Sequence, residues 1–175
     1  MDDGTWMRLH EVRVRGRVEH TDDDATRALL DAGFVHRAGR HLVVTAEGRA
    51  THATWARAPQ ESEPALRALY DAFLPLNTEL LRVCHDWQHE PGDRRVLDRF
   101  DALDERARVL VRRVCGSMSR FERYRSMLAV ARDRVASGDT EWFTSPRLDS
   151  YHTVWMQLHE DLLLALGLER GRDDG

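Results

Sequence analysis

The side chains best suited to chemistry lie in one segment near the C-terminus. Leucine, histidine and tryptophan recur there at alternating spacings of four and three, at Leu148, His152, Trp155, His159, Leu162 and Leu166. This spacing predicts an amphipathic helix over 148–166 with two imidazoles on its apolar seam. His152 and His159 would be separated by two turns, about 10.5 Å along the axis, which is too far for both rings to bind one metal ion. We therefore predict neither a metal nor another cofactor on this helix.

Two other predicted helices carry polar residues on their apolar faces. Asn77 and Cys84 are seven residues apart on a helix over 64–89, so both would face the histidine seam. An aromatic wall with a few converging polar groups is typical of a small-molecule pocket. The alternative is that the buried histidine and asparagine side chains bond to one another or to backbone carbonyls. The predicted ligand-binding residues are Asn77, Cys84, Tyr124, His152, Trp155 and His159.

Other patterns that accompany catalysis or metal binding are weak in this sequence. His85 and His89 are four residues apart, which allows joint metal ligation, but no third ligand has a defined position. An exposed helix end is the interpretation we favour for this pair. We find no nucleophile beside a base, no glycine-rich phosphate loop and no pair of carboxylates in an apolar setting. An enzyme that uses the seam histidines is therefore the least favoured of three hypotheses.

Composition and charge restrict the classes of protein to which the chain can belong. The 175 residues are 42% hydrophobic and 32% charged, which is ordinary for a globular protein with a buried core. All 26 basic residues are arginine, and the formal net charge is -4. Residues 1–58 hold nine arginines and nine acidic residues, so neither half of the chain is a basic domain. This balance argues against a protein that coats nucleic acid without selectivity.

The two cysteines and the lack of long apolar segments bear on the cellular compartment. Cys84 and Cys115 form no CxxC pair, and both lie on the apolar faces of predicted helices, where they would be small buried hydrophobic side chains. The chain has no secretory start and no apolar run near 18 residues. We expect a cytoplasmic protein with reduced thiols and no membrane partner.

The N-terminal third predicts a small α+β unit. A first helix runs from about residue 6 to Gly16, and a second begins at Thr21 as its N-cap and stops at Gly33. Two short β-prone runs, 34–36 and 41–45, flank a turn at Ala38 and Gly39 and predict a hairpin. Thr45 then caps a third helix, which ends before the proline-bounded segment that follows.

The remainder predicts four helices joined by short loops, which is the pattern of an antiparallel bundle. The first, over 64–89, should bend or split at Pro75 because proline removes one intrahelical hydrogen bond. The third covers 119–136. The loop that follows, with Trp142, Phe143 and Thr144, could close over a pocket, but we favour packing of its aromatic residues on the end of the bundle. We thus predict a mainly α protein whose parts are a winged-helix-like domain over 1–58, a linker over 59–64, a helical domain over 65–170 and a frayed tail over 171–175.

The order of elements in the first domain resembles the winged helix-turn-helix unit of MarR-like bacterial regulators. The likeness is carried by the end of the second helix and by the threonine-x-glutamate-glycine-arginine step into the third: Leu29, Leu30, Ala32, Gly33, Phe34, Val35, Thr45, Glu47, Gly48 and Arg49. This resemblance implies a homodimeric transcription regulator in which the winged unit binds DNA and the helical domain supplies dimerisation and an effector pocket. The implied DNA-binding residues are Arg27, Arg37 and Arg40.

Two departures from that family pattern keep a second hypothesis open. Only about four residues, 18–21, separate the first helix from the presumed recognition helix, so the usual preceding helix is missing. The recognition helix would begin at Asp22, Asp23 and Asp24, whose carboxylates oppose a polyanion. The alternative is a winged-helix module that binds a protein or a small molecule and no longer binds DNA.

Overall fold

A computed structural model describes residues 1–168 of the chain. The protein is mainly α, with a small winged-helix-like unit containing an antiparallel sheet, followed by a four-helix, bundle-like part, so the predicted fold class is confirmed. The described chain divides into two compact units, one made of Met1–Arg57 with 163–168 and the other of Ala58–Leu162. The predicted tail over 171–175 lies outside the described residues.

The first unit contains three helices and a three-stranded sheet. Its strands are antiparallel in the order β1-β3-β2, so the last strand lies in the middle. Val18 is paired with Leu42 and Val35 with Val44, which brings all four apolar side chains to the core. The elements are α1 (Asp3–Arg15), β1 (Val18–Glu19), α2 (Asp24–Asp31), β2 (Val35–Ala38), β3 (His41–Val44) and α3 (Ala46–Ala56).

Three local expectations for this unit are corrected. Asp23 rather than Thr21 is the N-cap of α2, since its carboxylate accepts the Thr26 backbone N–H at 2.8 Å while the Thr21 hydroxyl donates to the same carboxylate. The hairpin turn is formed by Gly39 and Arg40, one residue later than predicted. Strand β1 lies in the segment 18–21, for which no strand was predicted, because two residues are too short to display the alternation that indicates a strand.

The second unit is built from four long helices with two short helical segments between them. Its apolar faces bury a continuous set of large side chains, including Tyr70, Phe73, Phe100, Tyr124 and Trp155. The elements are α4 (Glu63–His89), α5 (Arg94–Cys115), a 3-10 turn (Ser119–Phe121), α6 (Glu122–Ala136), α7 (Glu141–Thr144) and α8 (Tyr151–Leu166).

Helices α4 and α8 differ from their predicted forms. Helix α4 continues through Pro75 without a break, so the expected split is wrong. Phe73 before the proline stacks on Trp155, and Leu80 after it is fully buried, so both halves of the helix are held by packing. Helix α8 begins at Tyr151 rather than at 148, with Ser150 as the residue before it. Its end, from 163, belongs to the first unit, where the Arg57 guanidinium donates to the Leu166 carbonyl at 3.0 Å. The predicted second domain had included that end.

Helix α8 is buried on almost every side, rather than along one seam. Val154 and Leu158 are as inaccessible as Trp155 and His159. The short helix α7 was not predicted, but its Phe143 is fully buried, with its ring 4.4 Å from that of Phe100. The expectation that an aromatic residue of this segment packs on the bundle is confirmed.

Candidate functional site

Three of the predicted ligand-binding residues lie together in the second unit. The Trp155 indole N–H donates to the Asn77 side-chain oxygen at 3.1 Å. Phe73 stacks on Trp155 at 4.6 Å between ring centroids and lies 5.0 Å from the His159 ring. The His159 Nε2 atom is 3.4 Å from the Tyr70 hydroxyl. The seam residues thus bond and stack with one another in a closely packed cluster.

His152 and Cys84 have different surroundings. His152 is half-buried, and desolvation lowers its pKa, so the neutral ring is favoured. Cys84 is only 4% exposed, and burial raises the pKa of its thiol to about 12. Because the thiolate is the nucleophilic form, Cys84 stays unreactive at neutral pH. Cys115 is also a buried free thiol, as predicted.

Tyr124 belongs to a separate polar cluster on another face of α8. Its hydroxyl donates to the Asp161 carboxylate at 3.2 Å, and the Arg120 Nε atom donates to the same carboxylate at 2.8 Å. Burial, followed by the charge of Asp161, raises the pKa of Tyr124 well above its ordinary value. Arg120 and Asp161 were not predicted as partners, since they are 41 positions apart and meet only when α8 packs beside the 3-10 turn.

A third polar cluster surrounds a buried carboxylate on α5. Asp104 is 1% exposed and accepts the Tyr151 hydroxyl at 3.0 Å. Its other oxygen lies 2.8 Å from the Arg108 guanidinium and 3.7 Å from that of Arg132. Desolvation raises the pKa of Asp104, opposed by the Tyr151 hydrogen bond and the two arginines. Sequence reasoning missed this cluster because its members come from three helices.

A cavity of about 90 Å³ opens beside Asp104. Its walls are mainly apolar, and three arginine side chains also contribute to its lining. The lining residues are Asp104, Arg108, Val111, Arg112, Arg125, Leu128, Ala129 and Tyr151. This combination of an apolar interior with guanidinium groups suits a small organic anion.

The surface of α2 is acidic where a DNA-reading helix would be cationic. Asp22, Asp24 and Asp31 are exposed, and Arg27 is the single basic residue from 22 to 31. The Arg27 guanidinium donates to Asp22 at 2.7 Å and also to Asp24. The charge of Arg27 is therefore already neutralised by two carboxylates at the start of α2.

The wing, defined here as residues 34–45 of the hairpin β2–β3, has the opposite character. It contains Arg37, Arg40 and two histidines, and no acidic residue. Both arginines are exposed, and the Arg37 Nε atom donates to the Gly39 carbonyl at 2.9 Å, which orders its side chain along the turn. The backbone N–H of His20, the residue after β1, donates to the Arg40 carbonyl in the turn at 2.9 Å.

The residues that carry the family likeness hold the wing to α3. The Thr45 hydroxyl oxygen accepts the Gly48 N–H at 3.0 Å and donates to the Gly33 carbonyl at 2.8 Å. A Cβ atom on Gly48 would lie 2.0 Å from the Phe34 carbonyl oxygen, so only glycine permits this approach. The motif is thus a structural joint between hairpin and helix.

A wide groove also lies within the first unit and contains three arginines. Arg13, Arg49 and Arg57 line it together with small side chains of α3. Arg49 donates to the Val44 carbonyl at 3.4 Å, and Arg57 donates to Leu166, so these two guanidinium groups hold neighbouring segments. The groove therefore offers less available charge than its arginine content suggests.

Two further features bear on function. The rings of His85 and His89 are 4.3 Å apart, but residues 1–168 contain no group of three or more side chains placed to hold a metal ion. In the same range, no helix combines the length and apolarity needed to cross a membrane. The wing and the arginine-lined cavity are the candidate functional sites. Comparisons of this chain with protein-family models, curated proteins and solved structures found no match.

Proposed function

We propose that the protein is a homodimeric, MarR-like transcription regulator that contacts duplex DNA through its wing and not through the start of α2. The observation that carries this proposal is the wing itself: an exposed hairpin, free of carboxylates, with Arg37 and Arg40 near its tip. Exposed arginines donate several hydrogen bonds to phosphate oxygens and so position a protein on the DNA backbone.

The negative charge around α2 supports a DNA contact that does not involve this helix. Four exposed aspartates and one internally paired arginine face solvent between 22 and 31. In a major groove these carboxylates would be repelled by the negatively charged phosphates. Base reading by the start of α2 is therefore unfavourable. The contact is expected to be mainly with the backbone, with sequence preference arising from the shape and deformability of the duplex.

The small number of wing arginines supports a dimer. Two phosphate contacts per chain give weak binding with a salt slope of about -1.8, whereas two chains together give about -3.6. A two-fold dimer also presents two wings to one duplex, as palindromic sites require.

A mobility-shift titration on the DNA upstream of the protein's own coding sequence tests the proposal. Wild-type protein should shift this duplex at lower concentration than a scrambled duplex. The R37Q/R40Q double variant should lose most of this binding, while R27Q should bind like wild type because Arg27 is already paired. Absence of a shift with wild type, or equal binding by the double variant, would count against a DNA-binding wing.

A protein-interaction module is the second candidate, and the acidic face of α2 favours it. The exposed carboxylates of Asp22, Asp24 and Asp31 suit a partner with a basic surface. In this case a D22N/D24N variant should lose a partner captured by the wild-type chain, whereas R37Q/R40Q should retain it. Retention of the partner by D22N/D24N would contradict this candidate.

A further inference from the structure

The cavity in the second unit has an ordered polar side formed by Asp104 and Tyr151. Both residues are 1% exposed or less, and the tyrosine hydroxyl donates to the carboxylate at 3.0 Å. Arg108 and Arg132 compensate the remaining charge of Asp104. These contacts fix the Tyr151 ring as one wall of the cavity.

The other walls come from matching faces of two helices. Arg108, Val111 and Arg112 follow one another at helical spacing on α5, while Arg125, Leu128 and Ala129 do so on α6. Val111 and Leu128 are buried, whereas the arginines and Ala129 are exposed. The cavity thus has an apolar interior and a cationic mouth.

The charges at the mouth are only partly neutralised. Arg125 pairs with Glu122 at 3.4 Å, in a contact that is exposed on both sides and therefore weak. None of the ion pairs among residues 1–168 involves Arg112. Arg112 therefore has its guanidinium donors available for an incoming anion.

The volume restricts the apolar part of the ligand. A cavity that binds benzene has a volume of roughly 150 Å³, which is larger than the cavity found here. A phenyl ring is thus too large to enter completely, whereas a short branched alkyl chain has the right scale for about 90 Å³. Apolar walls with no further converging donors also disfavour a sugar or a nucleobase.

We propose that this cavity binds a short branched aliphatic carboxylate, with the alkyl chain between Val111, Leu128 and Tyr151 and the carboxylate at Arg112 and Arg125. Arg112 is the main anion-binding residue, and Arg125 assists it. Arg108 remains with Asp104 and shields the bound anion from that carboxylate. This site does not depend on DNA binding, so the two proposals succeed or fail separately.

Isothermal titration calorimetry with isovalerate tests the proposed site on the full chain. Acetate, which lacks the alkyl chain, and 3-methylbutanol, which lacks the charge, are the comparison ligands. We expect isovalerate to bind with a Kd of about 1 mM or below and each comparison ligand at least about tenfold more weakly. Benzoate should also bind more weakly than isovalerate.

Paired variants separate specific binding from general charge and size effects. R112Q should weaken isovalerate binding about tenfold, which corresponds to one charge-assisted hydrogen bond, whereas R113Q on the neighbouring position should leave it unchanged. A129L should block the mouth and abolish binding, while A102L, on an exposed part of α5, should not. Unfolding curves of all four variants confirm that each is folded under the conditions of the titration.

Several results would overturn the proposal. They are no binding of isovalerate at roughly 20 mM, equal binding of 3-methylbutanol, tighter binding of benzoate, an equal effect of R112Q and R113Q, or unchanged binding by folded A129L. The same titrations carried out with R37Q/R40Q should match wild type, since the wing is outside the site.

Discussion

Arg27 and Arg112 illustrate how the neighbours of a side chain decide what it is able to bind. Both are exposed arginines on helices, but Arg27 donates to Asp22 and Asp24, whereas Arg112 has no such carboxylate among residues 1–168. The apolar seam of α8 shows the same effect of neighbouring side chains, because the Trp155 indole N–H is already bonded to the Asn77 side-chain oxygen. Residue identity alone therefore does not establish a binding role.

The bond between Asn77 and Trp155 gives a direct prediction about stability. Asn77→Ala leaves the buried indole N–H without its acceptor and should lower the free energy of unfolding by about 1–2 kcal/mol. Asn77→Asp keeps a side-chain oxygen at the same place and should cost less. Denaturant unfolding of both variants measures the difference, and equal losses would show that the hydrogen bond contributes little.

Asp23 should make the stability of the protein depend on pH in acid. The hydrogen bonds from the Thr21 hydroxyl and the Thr26 N–H lower its pKa to about 2, compared with about 3.9 in an unfolded chain. A lowered carboxyl pKa stabilises the fold above the unfolded value, and this contribution is lost as the pH falls from about 4 through about 2.

Asp23→Ala should therefore cost about 1 kcal/mol at neutral pH, the usual effect of losing a helix cap, and progressively less towards pH 2. Denaturant unfolding between pH 2 and pH 6, with Asp23→Asn as an uncharged hydrogen-bonding control, measures this change. A difference between wild type and Asp23→Ala that stays constant across this range would contradict the proposed linkage.

At the scale of elements, the wing and α3 are held together by a helix cap and a close backbone contact. Thr45 caps α3, and the Phe34 backbone lies against Gly48. This arrangement fixes the direction in which the hairpin leaves the helices.

Gly48→Ala should lower the free energy of unfolding by about 2–3 kcal/mol, since the added Cβ would overlap the Phe34 carbonyl. Gly4→Ala is the matched control: it also lies in a helix, but its nearest contact would be an ordinary 3.5 Å. Alanine has the higher helix propensity, so the control should be neutral or slightly stabilising. The thermal unfolding temperature should fall in Gly48→Ala and stay the same or rise slightly in Gly4→Ala, and a neutral Gly48→Ala would refute the close approach.

The elements that sequence predicts are those with strong local signals. Helix α3 follows its threonine cap, because this signal is contained within one segment. Helix α5 likewise follows six apolar positions at helical spacing: Val96, Phe100, Leu103, Ala107, Leu110 and Val114. The two-residue strand β1 and the four-residue helix α7 are too short to show a period. The path of α4 through Pro75 depends on packing against α5, which no local pattern contains.

In the candidate sites, too, the sequence predicts only the contacts that have a local signal. The Asn77–Trp155 contact was anticipated because each residue occupies the apolar face of its own helix. The Asp104–Tyr151 and Arg120–Asp161 pairs were not, since each contains a charged residue, which sequence reasoning places on the exposed face of a helix. Such contacts are set by which helices become neighbours, information that helical periodicity does not carry.

At the scale of the whole molecule, the small net charge of the chain is the sum of surfaces with opposite charge. The chain has a net charge of -4, but the wing has no acidic residue and residues 22–31 contain four exposed aspartates. A polyanion is therefore attracted to one part of the winged unit and repelled by another. The orientation of a bound duplex should follow from this difference.

The salt dependence of DNA binding by fluorescence anisotropy tests this account most directly. Wild type and R37Q/R40Q should differ in the slope of log K against log salt by about 1.8 per chain, because two phosphate contacts are lost. R27Q and D22N/D24N should keep the wild-type slope. A wild-type slope in R37Q/R40Q, or a tenfold gain in affinity with D22N/D24N, would place α2 instead of the wing on the DNA and contradict the account.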